Sequence, residues 1–315
     1  MSVKCVLSSL IILSVFVLFG KAANAQTAKY PNFSESQLIF QGDAGKWDAD
    51  KVHTFSVVEA NKDGYKYWAY YGLSYYGGDP ANRKCGLARS NDLVHWEKYD
   101  GNPLISNDCR WPTVIFSNSV FYMFYAEYNA DNDSRIVMVT SKDGIHFGDK
   151  TEVVEREKGK QNQNPFAFYN EKDKTFYLTY YCGDERNKDT SKTWWSIKIK
   201  KSKNIEKLAA VKPKTLMKSH DLVAAPSIVY FNNKYYLLVE SRIIGRWDDK
   251  WVTLGYESNK PDGKYKLLAN DPPVLHDGDA CAFEYVFNNQ LYVFYSHCLN
   301  LDKFNWELRM VKSVK

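Results

Sequence analysis

Ser90-Asn91-Asp92-Leu93-Val94-His95-Trp96 recurs 51 residues later as Ser141-Lys142-Asp143-Gly144-Ile145-His146-Phe147. In both stretches an apolar run ends in Ser, a polar turn follows, and an aromatic residue closes the segment. Ser202-Lys203-Asn204-Ile205 is a weaker copy, and Ser258-Asn259-Lys260-Pro261-Asp262-Gly263-Lys264-Tyr265 is a longer one. Ser313 ends the last apolar run, and the intervals between the five Ser residues are 51, 61, 56 and 55 residues.

Two further signatures precede each Ser. One is an aromatic-rich strand: Tyr67–Tyr71, Phe121–Tyr125, Phe176–Tyr180, Tyr235–Val239 and Leu291–Tyr295. Polar turns such as Lys62-Asp63-Gly64 and Asn232-Asn233-Lys234 introduce several of these strands, and such turns close hairpins by tolerating positive φ. The other signature is a short apolar strand before the hairpin. It starts at Pro112, Pro165 and Pro226, with Thr54–Val58 and Ala282–Val286 in the same place without Pro. A strand, a hairpin, an aromatic strand and a third strand ending in Ser, repeated about every 40–60 residues, describe propeller blades. Five copies predict an all-β chain folded as a five-bladed β-propeller. A β-sandwich is the alternative, but it has no reason to repeat three signatures in a fixed order.

The first residues read as a targeting segment. Lys4 supplies a positive start, Val6 to Phe19 is an apolar run too short to span a bilayer comfortably, and Ala23-Asn24-Ala25 is a small-x-small cleavage site. The expected organisation is therefore a cleaved leader over 1–25 and one domain over 26–315, exported to the periplasm or the medium. No later stretch is apolar enough for a membrane span. The formal charge of +5 is scattered rather than gathered into a basic face, which argues against a nucleic-acid partner. Cys85, Cys109, Cys182, Cys281 and Cys298 remain after cleavage, an odd number that leaves at least one unpaired. No CxxC or clustered His/Cys spacing suggests a transition metal.

The inner strands of a propeller surround an axial channel, and the residues just before them line its mouth. Counting back from Thr54, Pro112, Pro165, Pro226 and Ala282 brings Asp50, Asp108, Gln161, Asp221 and Asp279 to that rim, with Asp48, Asp277 and Glu284 close by. On this count Asp50 and Asp108 share one register. Trp47, His53, Arg110, Trp111, Asn162 and Asn164 accompany them. Clustered carboxylates push one another's pKa values apart, so that one can hold a proton while another stays ionised. Glycosidic-bond hydrolysis needs that division, because an acid protonates the leaving oxygen and a base activates water. Trp47 and Trp111 are candidates to stack on a sugar face, and Arg110 to bind a hydroxyl or carboxylate. Against this, an Asp before a strand is commonly a turn residue, and a Trp there commonly packs between blades. Glu240, beside Arg242, follows one middle strand and Glu127 follows another. Glu240 is the preferred third carboxylate, although the sequence does not fix which end of the strand lies at the mouth.

Gly86-Leu87-Ala88-Arg89-Ser90-Asn91-Asp92-Leu93-Val94-His95-Trp96, followed by Gly101-Asn102-Pro103-Leu104-Ile105, resembles a blade signature of the five-bladed glycoside hydrolases of the family 43/62/32/68/117/130 superfamily. Lys46-Trp47-Asp48 and Tyr67–Gly72 are also typical. The resemblance covers essentially all of the mature chain. For family 43 it implies three axial carboxylates: an Asp base (Asp50 or Asp48), a second Asp that tunes pKa (Asp108) and a Glu acid. The family often places that acid in a Glu-x-Pro start of an inner strand. Here the matching positions are Arg110, Gln163 and Ala224, so the acid must come from elsewhere: Glu240, Glu284, Asp279 or His297. The expected function is an exported, inverting glycoside hydrolase with a poly- or oligosaccharide substrate, catalytic Asp50, Asp108 and Glu240, and no cofactor. A calcium ion would suit an acidic ring, but nothing in the sequence demands one. The alternatives are a non-catalytic carbohydrate-binding propeller and a glycoside phosphorylase using Arg110, Arg242 and Arg246. Loss of a sugar phosphate outside the cell argues against the latter.

Overall fold

The computed structural model describes residues 30–49, 51–73, 80–183, 195–219, 222–242, 252–268, 274–275, 278–300, 303 and 305–314, without the side chains of 80, 222 and 242. The leader and the catalytic candidate Asp50 lie outside these residues, as does most of the two loops 73–84 and 183–193 that the sequence suggests for substrate specificity. The described residues form five four-stranded antiparallel sheets. Blade 1 is β2 (Val52–Lys62), β3 (Tyr65–Leu73), β4 (Cys85–Ser90) and β5 (Glu97–Lys98). Blade 2 is β6 (Arg110–Ser117), β7 (Val120–Tyr128), β8 (Ser134–Ser141) and β9 (Thr151–Val154). Blade 3 is β10 (Gln161–Asn170), β11 (Thr175–Gly183), β12 (Trp195–Ser202) and β13 (Lys214–Ser219). Blade 4 is β14 (Leu222–Phe231), β15 (Lys234–Arg242), β16 (Val252–Ser258) and β17 (Lys266–Leu267). Blade 5 joins β18 (Ala280–Phe287), β19 (Gln290–Asn300) and β20 (Asn305–Lys312) to the N-terminal strand β1 (Gln37–Phe40). Among the described residues helix is confined to two short 3-10 turns, and no helix is long and apolar enough to cross a membrane.

Each inner strand packs on the next, and β18 returns to β2, so the five strands close a ring. The N-terminal segment completes that closure. β1 pairs with β20, the Ser34 amide donates to the Lys312 carbonyl, and the Tyr30 hydroxyl donates to Glu284 on β18. The middle strands are aromatic because both of their faces are covered. Successive side chains of β3 point to opposite blades: Tyr67, Ala69 and Tyr71 join a cluster with Phe294 of blade 5, while Trp68 and Tyr70 join one with Phe121 of blade 2. Fully burying such a side chain stabilises by roughly 1.5–3 kcal/mol.

In the first four blades the recurring Ser organises the turn after the third strand. Ser90 Oγ accepts from the Leu93 amide at 3.0 Å, and Ser141 Oγ accepts from the Gly144 amide at 2.8 Å. In the same turns Asp92 and Asp143 bind His95 and His146, so those two histidines serve local structure. Hydroxyls on the inner strands also stitch blades together: Ser56 Oγ accepts from the Val114 amide, Thr113 Oγ1 from the Ala167 amide, and Ser227 Oγ from the Glu284 amide.

Every inner strand carries a bulge at its start. The ladder slips at His53/Phe55, Arg110/Thr113, Gln163/Phe166, Ala224/Ser227 and Ala280/Phe283. Within each slip one non-glycine residue has positive φ: Thr54, Trp111, Asn164, Ala225 and Cys281. A bulge frees the next residue from the ladder, which is why proline fits there three times. The bulges correct the sequence alignment in blade 1. Phe55, not Thr54, is the counterpart of Pro112, so the count in that blade starts one residue early. Asp50 therefore stands four residues before its bulge residue and Asp108 three before its own. The true counterparts of Asp50 are Asn107, Lys160, Asp221 and Asp277. Without a proline in blade 1, nothing in the sequence marked the place.

Candidate active site

Antiparallel pairing brings the end of each middle strand back to the start of its inner strand. The residues opposite the position before the bulge are Gly72, Ala126, Tyr181, Glu240 and Ser296. Glu240 therefore lies at the mouth, which settles the direction the sequence left open, and it is the only carboxylate of the five. It sits directly across from Ala224, where the family pattern would place Glu-x-Pro. Directly opposed residues share a face at about 5 Å between Cβ atoms, so Glu240 projects from the same face of the blade as Ala224.

Glu240 is buried and reaches the next blade. Its Oε2 accepts from the Cys281 amide at 3.2 Å and from the Cys281 thiol at 3.7 Å. Asn164 Nδ2 donates to Cys281 Sγ at 3.7 Å, joining blades 3, 4 and 5 around the axis. Burial, and then the Glu240 charge, push the Cys281 thiol well above its ordinary range, so it remains a neutral donor. Arg110 also acts on this thiol electrostatically, and its guanidinium lies 3.9 Å from the Trp111 ring centroid and 4.6 Å from that of Tyr128. Trp111, Ala126, Tyr128, Ala225 and Cys281 form one small apolar cluster that holds these groups together.

His53 completes this rim. It is 2% exposed and packs edge-on against Trp306. Burial and then the Arg110 charge pull its imidazole down to about 3, so it is neutral. Among the described residues neither of its ring nitrogens, nor Thr54 Oγ1, has a hydrogen-bond partner. A cavity of about 40 Å³ lies on the axis among the five bulge residues, too small for a sugar ring, so a saccharide would sit above it. A cavity of about 500 Å³ lies at the opposite end, among Val57, Phe116, Tyr169, Tyr230 and Val286. Size alone does not choose the site, because Glu240, Arg110 and His53 gather at the narrow end.

Other expected site residues have different surroundings. Asp108 is anchored: Arg83 Nη1 lies 2.8 Å from Oδ1, and the Tyr128 amide donates to Oδ2 at 2.7 Å. Asp48 is 1% exposed and bound by Lys98 at 2.8 Å, by the Tyr71 hydroxyl and by the Asp43 amide. Trp47 stacks on Tyr71, so this pair braces blade 1. Asp279 holds His297 Nδ1 at 2.7 Å, and that hydrogen bond raises the imidazole pKa. Glu284 is buried between blades 4 and 5 against Tyr30, and burial pushes its carboxyl well up. Glu127 is paired with Arg135 and Lys150. Asp50, Asp221 and the Arg242 side chain lie outside the described residues. Sequence reasoning missed Cys281 and Arg83. Cys281 was findable only through the bulge register, and Arg83 only through the fold. Among the described residues no three His, Cys, Asp or Glu side chains converge as a metal site would need.

No protein-family model and no curated protein matches the sequence. Solved structures do match the fold. A thermostable family-43 glycoside hydrolase superimposes with a TM-score of 0.61 at 19% identity, over 83% of this chain and 88% of the other. An endo-arabinase from Bacteroides thetaiotaomicron gives 0.62 at 13% identity, over 84% and 94%. The catalytic domain of a Coprinopsis cinerea GH62 α-L-arabinofuranosidase gives 0.65 at 13% identity, over 90% and 97%. At these identities the likeness concerns architecture: the chain has the five-bladed propeller fold found in glycoside hydrolases of families 43 and 62.

Proposed function

We propose that this chain is an exported glycoside hydrolase whose general acid is Glu240. The observation that carries the reading is the place of Glu240, the one carboxylate in the ring of five equivalent positions at the axial mouth. Asp50, four residues before the blade 1 bulge in the sequence, is given the role of the base that activates water. Asp108, anchored by Arg83 and close in sequence to Arg110, acts on the others through the field of that pair. The neutral His53 and the Asn164 amide are suited to sugar hydroxyls, and Arg110 with Trp111 to the substrate's polar edge and apolar face. Inversion of the anomeric centre is expected, with a water held between acid and base.

The structural neighbours include an endo-arabinase, an arabinofuranosidase and a β-xylosidase, so arabinosides and xylosides are the first substrates to screen. The decisive test is release of reducing sugar from such substrates by the wild type and its loss in Glu240→Gln, with the product anomer read by NMR. Wild-type turnover in Glu240→Gln would sink the assignment. Turnover that requires inorganic phosphate would turn the reading into a phosphorylase.

A second reading, a carbohydrate-binding propeller without catalysis, is favoured by two observations. None of the five bulge residues is acidic, and Asp108 is already engaged by Arg83 and a backbone amide. Saturable sugar binding with no product from any glycoside would support it.

A further inference from the structure

Cys281 is a mouth residue to which neither the resemblance nor the reading above gives a role. It occupies the blade 5 bulge, where the ladder slips and leaves its amide free to point at blade 4. Both of its donors then meet one atom. The amide lies 3.2 Å and the thiol 3.7 Å from Glu240 Oε2. Asn164 Nδ2 approaches the sulfur at 3.7 Å as a donor, which turns the S–H toward the carboxyl. Two donors converging on one oxygen, Oε2, fix the orientation of the carboxyl group.

We propose that Cys281 is a positioning residue for Glu240, fixing through its thiol and amide how the carboxyl faces the mouth. The proposal rests on the reading of Glu240 as the acid. Its kind is that of an outer group orienting a reacting one, where a small loss of definition costs rate rather than binding. The other charged group that acts on Cys281 is Arg110 of β6, which also faces His53 of β2. Arg242 is near Glu240 in sequence and Asp221 is near its strand partner Ala224, and the side chains of both are outside the described set.

Cys281→Ala is a fair variant because Ala225 already occupies the same bulge position in blade 4 with φ of 43°, against 49° for Cys281. It removes the thiol and keeps the amide. With Glu-selective carboxyl ¹³C labelling, and Glu240→Gln to assign the signal, NMR titration gives the Glu240 pKa directly. Loss of a donor to the carboxylate is expected to raise it by about half a unit to one unit. On a turned-over aryl glycoside, kcat should fall about fivefold with KM unchanged, the value of one hydrogen bond. Cys281→Ser should restore both. An unchanged Glu240 pKa together with an unchanged kcat in Cys281→Ala overturns the proposal. A shifted pKa in a protein that turns over no glycoside supports the pairing and overturns the hydrolase reading.

Discussion

Blades 4 and 5 meet one structural requirement with two different side chains. In each, the middle-strand residue opposite the start of the inner strand accepts a hydrogen bond from the bulge amide of the following blade. Ser296 accepts from the Thr54 amide at 3.3 Å, and Glu240 accepts from the Cys281 amide at 3.2 Å. Ser296 shows how little the clasp demands, which is one neutral acceptor. Blades 1 and 2 have Gly72 and Ala126 there, which offer no side-chain acceptor at this position. A carboxyl group at 6% exposure costs more to bury than a hydroxyl does, and the clasp does not use its charge or its proton. That difference from the neutral hydroxyl of Ser296 is the physical ground for giving Glu240 a chemical role.

The strongest way to break this comparison is to move the blade 5 residue into blade 4. Glu240→Ser keeps an acceptor near the Cys281 amide and removes the acid. Turnover should fall by about 10²–10⁴-fold, the usual value of a positioned general acid. Stability by urea unfolding should stay within about 1 kcal/mol of wild type. Retained turnover would make Glu240 a clasp and nothing more.

Asp108 sharpens the contrast from the other side, because its carboxylate is consumed by the fold. Asp108→Asn removes the carboxylate charge paired with the Arg83 guanidinium, whose side chain is 6% exposed. Breaking a buried pair in this way costs about 3–5 kcal/mol, and urea unfolding should show a loss of that order. A variant that unfolds like wild type but loses turnover would show that the charge of Asp108 serves the chemistry and that its pairing with Arg83 is dispensable to the fold.

These assignments mark how far the sequence could be read. The propeller was legible because three signatures repeat in order, each with a local cause: the Ser that caps the turn, the aromatic strand buried on both faces, and the proline that suits a bulge. The N-terminal closure was not, since Gln37–Phe40 differs from any fourth strand in the other blades and its partner β20 is at the far end of the chain. Glu240 was legible as a candidate, but its end of the strand was not, because direction depends on pairing. Asp48 and Trp47 were drawn to the site by their place before an inner strand. Lys98 and Tyr71, which bind them, come from β5 and β3 and are visible only in three dimensions. A counting register anchored on proline also fails where a blade lacks one, and this is how Asp50 and Asp108 came to look equivalent.

Glu284 offers a third buried carboxyl, remote from the mouth, that should affect stability alone. Its folded pKa is raised above the unfolded value of about 4.3. Above that value the unfolded chain releases the proton while the folded chain keeps it, so stability falls as pH rises. The slope is about 1.4 kcal/mol per pH unit until the pH passes the folded pKa. Glu284→Gln should flatten this dependence in unfolding curves taken at about pH 5 and about pH 7, with the pH profile of turnover unchanged. An unaltered slope would mean that burial does not hold the proton on this carboxyl.

Ser296→Ala is the mildest change and the most direct control on Glu240. It leaves the Thr54 amide without its acceptor, which should cost no more than about 1 kcal/mol. Ala126 already stands at the same position in blade 2, so the fold accommodates the side chain. Because the hydroxyl carries no titrating proton near neutral pH, kcat and both limbs of the pH profile should be those of the wild type. If Ser296→Ala shifted a limb of that profile, the clasp itself would be coupled to the chemistry. The difference between blades 4 and 5 would then be one of degree, and Glu240 would lose its claim to be the residue that sets the mouth apart.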